Sequence, residues 1–234
     1  MTNTPATRIA LASWPTPLEP APALSVAIGL QPDDLWLKRD DLTGLAGGGN
    51  KIRKLEWTLA AALAEGADVV VTTGAPQSNH ARLTAAAGAR VGLDVVLVFP
   101  GSAPSMPAGN LVLDALLGAR IVWSHDSSDG QSALDAVAEQ VAERLRNGGR
   151  RPTIIPFGGS NAVGAHGYRL AAAELVQQRE QINHVVCALG SGGTMAGLVA
   201  GLGSDRVLGV HCGAVRRAAG RSRSASRRPA GSAP

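Results

Sequence analysis

Cysteine is nearly absent. Cys187 and Cys212 are the only two in 234 residues, too few for a disulfide framework or a zinc site, so a reducing, cytoplasmic setting is the expectation. Lysine is almost as scarce: Lys38, Lys51 and Lys54 stand against 19 arginines. Chemistry that needs an amine therefore has three candidates, all within 17 residues of one another. No apolar run approaches the roughly 20 residues a bilayer span requires, so no membrane partner is expected. Arg8 and the apolar residues after it could open a secretory signal, but Pro15 and Pro17 interrupt the stretch before an apolar region forms.

What the chain does have is length and apolar content. At 45% hydrophobic residues it can bury a sizeable core. The net charge of +4 and the pI near 9.7 point at first to a nucleic-acid partner. Position overturns that. Residues 212–234 hold six arginines (Arg216, Arg217, Arg221, Arg223, Arg227, Arg228) and no acid, which leaves 16 basic against 18 acidic residues before them. The body is mildly acidic and has no RNA-reading motif, so no nucleic-acid partner is expected.

Short β-branched runs alternate with longer Ala/Leu-rich segments, the pattern of βα units on a parallel sheet. Strands are predicted over 35–39, 68–73, 94–99, 120–124, 153–156, 184–189 and 206–211. Helices fit 51–65, 80–91, 109–117, 131–147, 163–178 and 194–203. In the first helix Ile52, Leu55, Leu59 and Leu63 make one apolar stripe, and Gly66 follows as a C-terminal stop. The continuous runs DVVVTTG and HVVCALG predict sheets covered on both faces. Functional residues then belong just past the strands' C-terminal ends.

Four segments could carry chemistry. Gly47-Gly48-Gly49-Asn50-Lys51 enters the first helix; a lysine at a helix start meets the positive end of the dipole, which lowers its pKa and favours a neutral, nucleophilic amine. The bland alternative is a glycine-rich loop and a solvated lysine. It is not a Walker A loop, because Ile52 stands where Ser or Thr would hold magnesium. In Gln77-Ser78-Asn79-His80, Ser78 and Asn79 are N-cap types whose helix start favours a carboxylate or phosphate; ordinary capping is the competing reading, and His80 is either a base or a buried, hydrogen-bonded histidine. Pro156-Phe157-Gly158-Gly159-Ser160-Asn161 is a tight strand-to-helix turn and weak by itself. Gly190-Ser191-Gly192-Gly193-Thr194 forms a backbone N–H nest suited to a monophosphate, or else a glycine turn for close helix packing. A dinucleotide fingerprint fails, since Met195 occupies its last glycine position. Together, a neutral amine, a carboxylate-binding helix start and a monophosphate nest are what pyridoxal 5′-phosphate chemistry on an amino acid requires.

The segments LKRDDLTGLAGGGNKIRKLE, TTGAPQSNHAR, PFGGSNAVGAHGY and GSGGTMAG, in this order, resemble the D-cysteine desulfhydrase and 1-aminocyclopropane-1-carboxylate deaminase family. The likeness implies an α/β fold, the tryptophan synthase β-like pyridoxal-phosphate fold (fold type II) with two αβα domains, the second incomplete. It assigns residues 1–52 and 161–211 to the larger domain and 53–160 to a smaller inserted one. It implies that Lys51 forms the internal aldimine and removes the Cα proton. Asn79 stands beside the cofactor's 3-hydroxyl, and Ser78 with Gln77 receives the substrate carboxylate. Asn50, Lys54 and the loop Gly190, Ser191, Gly192, Gly193, Thr194 hold the phosphate. His80, in QSNH, leans the substrate towards D-cysteine, eliminated to pyruvate, ammonia and sulfide. The cyclopropane deaminase, a sulfonate-eliminating relative or an inactive fragment are the alternatives, and a homodimer is the implied assembly.

The likeness breaks near Cys212. Family members continue through further βα units that supply the pyridine-nitrogen partner and an active-site tyrosine, whereas Tyr168, the only tyrosine here, does not match that position. Residues 212–234 lack Leu, Ile and aromatics, too little apolar surface to order themselves. A natural basic tail and a reading-frame shift in a GC-rich gene both give this composition. The shift is favoured, because the break falls mid-alternation, and translating the other two frames downstream tests it.

Overall fold

A computed structural model describes residues 8–125 and 130–212; the tail from 213 on, and with it the frame-shift question, lies outside the described residues. The chain opens with a short antiparallel pair, β1 (Leu18–Pro20) and β2 (Trp36–Lys38), joined through α1 (Pro22–Ala27). α2 (Ile52–Ala64) follows, then β3 (Val69–Thr73), α3 (Asn79–Val91), β4 (Asp94–Phe99), α4 (Asn110–Leu116), β5 (Arg120–Trp123), α5 (Gly130–Asn147) and β6 (Pro152–Ile155). The last part is α6 (Ala162–Gln178), β7 (Val185–Leu189), α7 (Gly193–Leu202) and β8 (Val207–His211). Every predicted strand and helix is present with its ends within one residue of expectation. The β1–α1 segment was not predicted: its three-residue strand lies among Pro17, Pro20 and Pro22, which leave no apolar run to read.

The central sheet is parallel, in the order β5-β4-β3-β6. Every residue of β3 is buried because both faces are covered. On one face Ile52, Leu55 and Leu59 of α2 and Leu83 and Ala87 of α3 pack on Val70 and Ile155. On the other, Leu134, Ala138, Val141 and Ala142 of α5 pack on Val69, Val71, Val96 and Val98. Leu63, placed on the α2 stripe by spacing, is 37% exposed; Ala62 is the buried residue of that last turn. Gly66 (φ +75) ends the helix as expected, its N–H donating to the Leu63 carbonyl.

The second sheet departs from expectation. β7 and β8 pair in parallel, and α6 and α7 cover one face through Tyr168, Ala171, Leu175 and Leu198. Val186, Leu208 and Val210 point the other way and are 62%, 52% and 55% exposed. The run HVVCALG is thus covered on one face, not two. Nothing among the described residues packs on its far side, so β7 alternates in burial although its sequence is continuously apolar.

α6 joins the two sheets, packing on both α2 and α7. Closeness depends on glycine at Gly167, where a Cβ would stand 1.9 Å from the Arg53 carbonyl oxygen. The N-terminal segment docks on α2 through two buried charges. Glu56 accepts from Leu11 N–H and Trp14 Nε1–H, and Arg53 pairs with Asp40 and Glu174 beneath the Trp14 ring.

Candidate active site

Three of the four glycine-containing segments follow β3, β6 and β7 at their C-terminal ends. The fourth, the loop before α2, comes against the first of these. Gly48 (φ +72) and Gly49 (φ +141) are required there: a Cβ on Gly48 would lie 1.8 Å from the Asp41 carbonyl oxygen, and one on Gly49 would lie 2.6 Å from Asn79 Oδ1. The loop is therefore pressed onto the start of α3. Asn50 Oδ1 accepts from Asn79 Nδ2 (3.1 Å) and from Lys51 Nζ (3.2 Å). Asn79 Oδ1 in turn accepts from Arg82. Asn50, Lys51 and Asn79 form one hydrogen-bonded chain.

Lys51 occupies the N-cap position of α2, and burial lowers the pKa of its amine. One helical turn on, Lys54 is 1% exposed. Its Nζ donates to the Gly158 carbonyl oxygen (3.1 Å) and to Ser160 Oγ (3.2 Å). Burial, helped by the Lys51 charge, brings Lys54 down to about 7. No carboxylate pairs with either amine among the described residues.

Ser160 is the hub of the second cluster. Its Oγ accepts from Gly193 N–H (3.1 Å) and lies 2.6 Å from Ser191 Oγ. Gly192 (φ +87) turns the chain into α7. A Cβ on Gly193 would meet Ser160 Oγ at 2.6 Å and Lys54 Nζ at 2.9 Å. Backbone N–H, two hydroxyls and a lysine converge at this helix start. Gly190 and Thr194 flank it, both half-buried.

The carboxylate-binding candidates divide. Ser78 caps α3, its Oγ accepting from Ala81 N–H (3.2 Å). Gln77 turns away: its Nε2 donates to the Ala108 carbonyl and its Oε1 accepts from Asn110 N–H. His80 is 2% exposed, with Nε2 3.0 Å from Thr72 Oγ1. Burial and the two lysine charges hold it neutral, its pKa lowered to about 3, so it is a core histidine under the site.

Sequence reasoning passed over three contributors. Ser160 was in a turn judged weak by itself. Arg82 reads as an ordinary helix arginine, yet it donates to the Ala46 and Gly48 carbonyls and to Asn79. Tyr168 places its hydroxyl 2.8 Å from Asp40 Oδ2 and 3.2 Å from the Asn50 carbonyl oxygen, tying the Arg53 ion cluster to the residue before Lys51. Only the fold brings it there; no local pattern marks it.

Comparison with known proteins gives a consistent picture. The chain is 46% identical over 198 residues to a Pyrococcus horikoshii protein provisionally named 1-aminocyclopropane-1-carboxylate deaminase, covering 83% of this chain and 58% of that one. It is 43% identical over 203 residues to a D-cysteine desulfhydrase of Salmonella typhi, covering 83% and 60%. The crystal structure of an ACC deaminase homologue superimposes with a TM-score of 0.80 at 42% identity, over 87% of this chain and 62% of that one. The chain thus spans about three fifths of the length of these relatives, and its fold is that of the fold type II enzymes. Residues 9–231 match the family described as pyridoxal-phosphate dependent enzyme, and the chain belongs to that family.

Proposed function

We propose that the two clusters form a pyridoxal-phosphate site, with Lys51 as the amine that carries the cofactor. The observation that carries this reading is the pair of amines, Lys54 buried and Lys51 half-buried, with no carboxylate partner among the described residues. Burying a lone ammonium is unfavourable unless an anion joins it, and the cradle of Lys54, Ser160 and the Gly193 N–H is made for one. Lys54 Nζ has three protons and two protein partners. The residues present therefore fit the group. Gly190, Ser191, Gly192, Gly193 and Thr194 would hold the phosphate with Lys54 at the positive end of α7. Asn50 and Asn79 would border the ring. The lobe comprising residues 53–160 would cover it from one side, and residues 1–52 with 161–211 from the other.

When bound, the cofactor supplies the electron sink for a carbanion at the substrate Cα. The chain's residues do the rest. Lys51, held towards its neutral form, accepts the Cα proton. Ser78 Oγ and the first N–H groups of α3, which have no carbonyl one turn earlier to bond, hold the substrate carboxylate. That grip fixes which Cα bond faces the ring.

The reaction is β-elimination on a small amino acid, D-cysteine first: with water it gives pyruvate, ammonia and hydrogen sulfide. The Salmonella typhi relative supports this choice. The Pyrococcus horikoshii relative supports a second reading, opening of the cyclopropane amino acid to 2-oxobutyrate and ammonia.

Protein loaded with pyridoxal phosphate and reduced with borohydride will retain the cofactor mass on the peptide carrying Lys51, and the Lys51→Ala variant will not. Loaded protein given D-cysteine will release pyruvate and sulfide. 2-Oxobutyrate from the cyclopropane amino acid alone would move the assignment to the second reading. A chain that takes up no cofactor would end both.

A further inference from the structure

α4 lies outside the lysine site, yet it buries a charge. Asp114 is fully buried, and neither carboxylate oxygen has a hydrogen-bond partner. A lone buried carboxylate is destabilising by several kcal/mol, so a compensating charge is required close by. α3 packs against α4 and supplies Arg82, which is 8% exposed and whose charge acts on Asp114. Arg82 Nε is itself buried and unpartnered. Its terminal nitrogens are committed elsewhere, to the carbonyls of Ala46 and Gly48 and to Asn79 Oδ1. The guanidinium is thus directed at the loop before Lys51; among the described residues it makes no ion pair within 4 Å, and the carboxylate on α4 acts on it through space. The other ionisable groups of α3 do not compete: His80 is neutral under the two lysines, and Arg90 is exposed.

We propose that Asp114 is a positioning residue. As the counter-charge of Arg82 it keeps the guanidinium aimed at Gly48 and Asn79, and through the Asn79–Asn50–Lys51 hydrogen bonds it sets where the reactive amine stands. Three neutral acceptors alone do not offset a buried guanidinium; a carboxylate nearby does. Burial pushes Asp114 up to about 6, which leaves it mainly ionised at neutral pH and able to serve.

The test compares the full chain, stripped of bound cofactor, with Asp114→Asn, Arg82→Met and the double variant. Two quantities are read: the melting temperature, and the rate at which trinitrobenzenesulfonate modifies Lys51, located by peptide mass. Each single variant leaves one charge buried alone, so the double variant will melt higher than the sum of the two single shifts predicts. Lys51 will be modified at least three-fold faster in Asp114→Asn, and the same change will add nothing in the Arg82→Met background. If Asp114→Asn does not fold, the comparison of Arg82→Met with the double variant decides, the double being the more stable. Additive melting shifts, or a wild-type rate at Lys51 in folded Asp114→Asn, would overturn the proposal. The inference rests on Lys51 as the reactive amine. That reading fails separately, by a wild-type chain that binds no pyridoxal phosphate while the melting cycle still shows the coupled pair.

Discussion

Lys54 carries the plainest electrostatic cost in the site. Its amine has a pKa near 7 in the fold against 10.5 in the unfolded chain. Between those values the unfolded chain binds the proton and the folded chain does not, so stability rises as pH increases from about 7 towards 10. Below pH 7 both states are charged and the full penalty applies, at most about 5 kcal/mol for a shift of this size. The cofactor-free protein will therefore melt several degrees higher at pH 9.5 than at pH 7, and Lys54→Met will abolish most of that rise. Inorganic phosphate, by pairing with the ammonium, will stabilise the wild type at pH 7 and leave Lys54→Met unmoved. A thermal series in both variants, with and without phosphate, checks both statements; equal pH slopes would show that Lys54 is not the group responsible.

At the scale of elements, most of the fold was legible, because each βα unit writes its own signature. The stripe Ile52, Leu55, Leu59 specifies α2, Gly66 (φ +75) marks where it stops, and Ser78 marks where α3 begins. What was not legible depends on partners remote in sequence. β1 is three residues long and exists by pairing with β2. Tyr168 reaches Asn50 only because α6 lies against α2. That crossing turns on Gly167, whose replacement by alanine would drive a Cβ into the Arg53 backbone. The helices would have to separate. Gly167→Ala will destabilise the chain by about 3 kcal/mol or more, read as a lower urea midpoint at an unchanged slope. It will also weaken cofactor binding, since Arg53 and Lys54 both ride on α2. An unchanged midpoint would mean that the two helices are free to slide apart at no cost.

At the scale of the whole molecule, the described residues cover the four-stranded sheet on both faces and the β7–β8 sheet on a single face. Val186, Leu208 and Val210 form an exposed apolar surface on β7 and β8, each of which has a single strand neighbour among the described residues. An exposed apolar face on a two-stranded sheet is a template for association. Charge gives little protection, since a net charge of +4 on 234 residues makes long-range repulsion modest. The chain will therefore self-associate with rising concentration, and added salt will not prevent it, because burial of apolar surface is the driving force. Leu208→Lys with Val210→Lys places two charges on that surface. Both side chains are more than half exposed, so neither substitution removes core packing, and surface changes of this kind usually shift stability by less than about 0.5 kcal/mol. Light scattering will show the double variant remaining monodisperse at concentrations where the wild type grows, with the two melting temperatures within a degree or two. A fall of many degrees in the variant would instead show that this face is buried in the protein in solution.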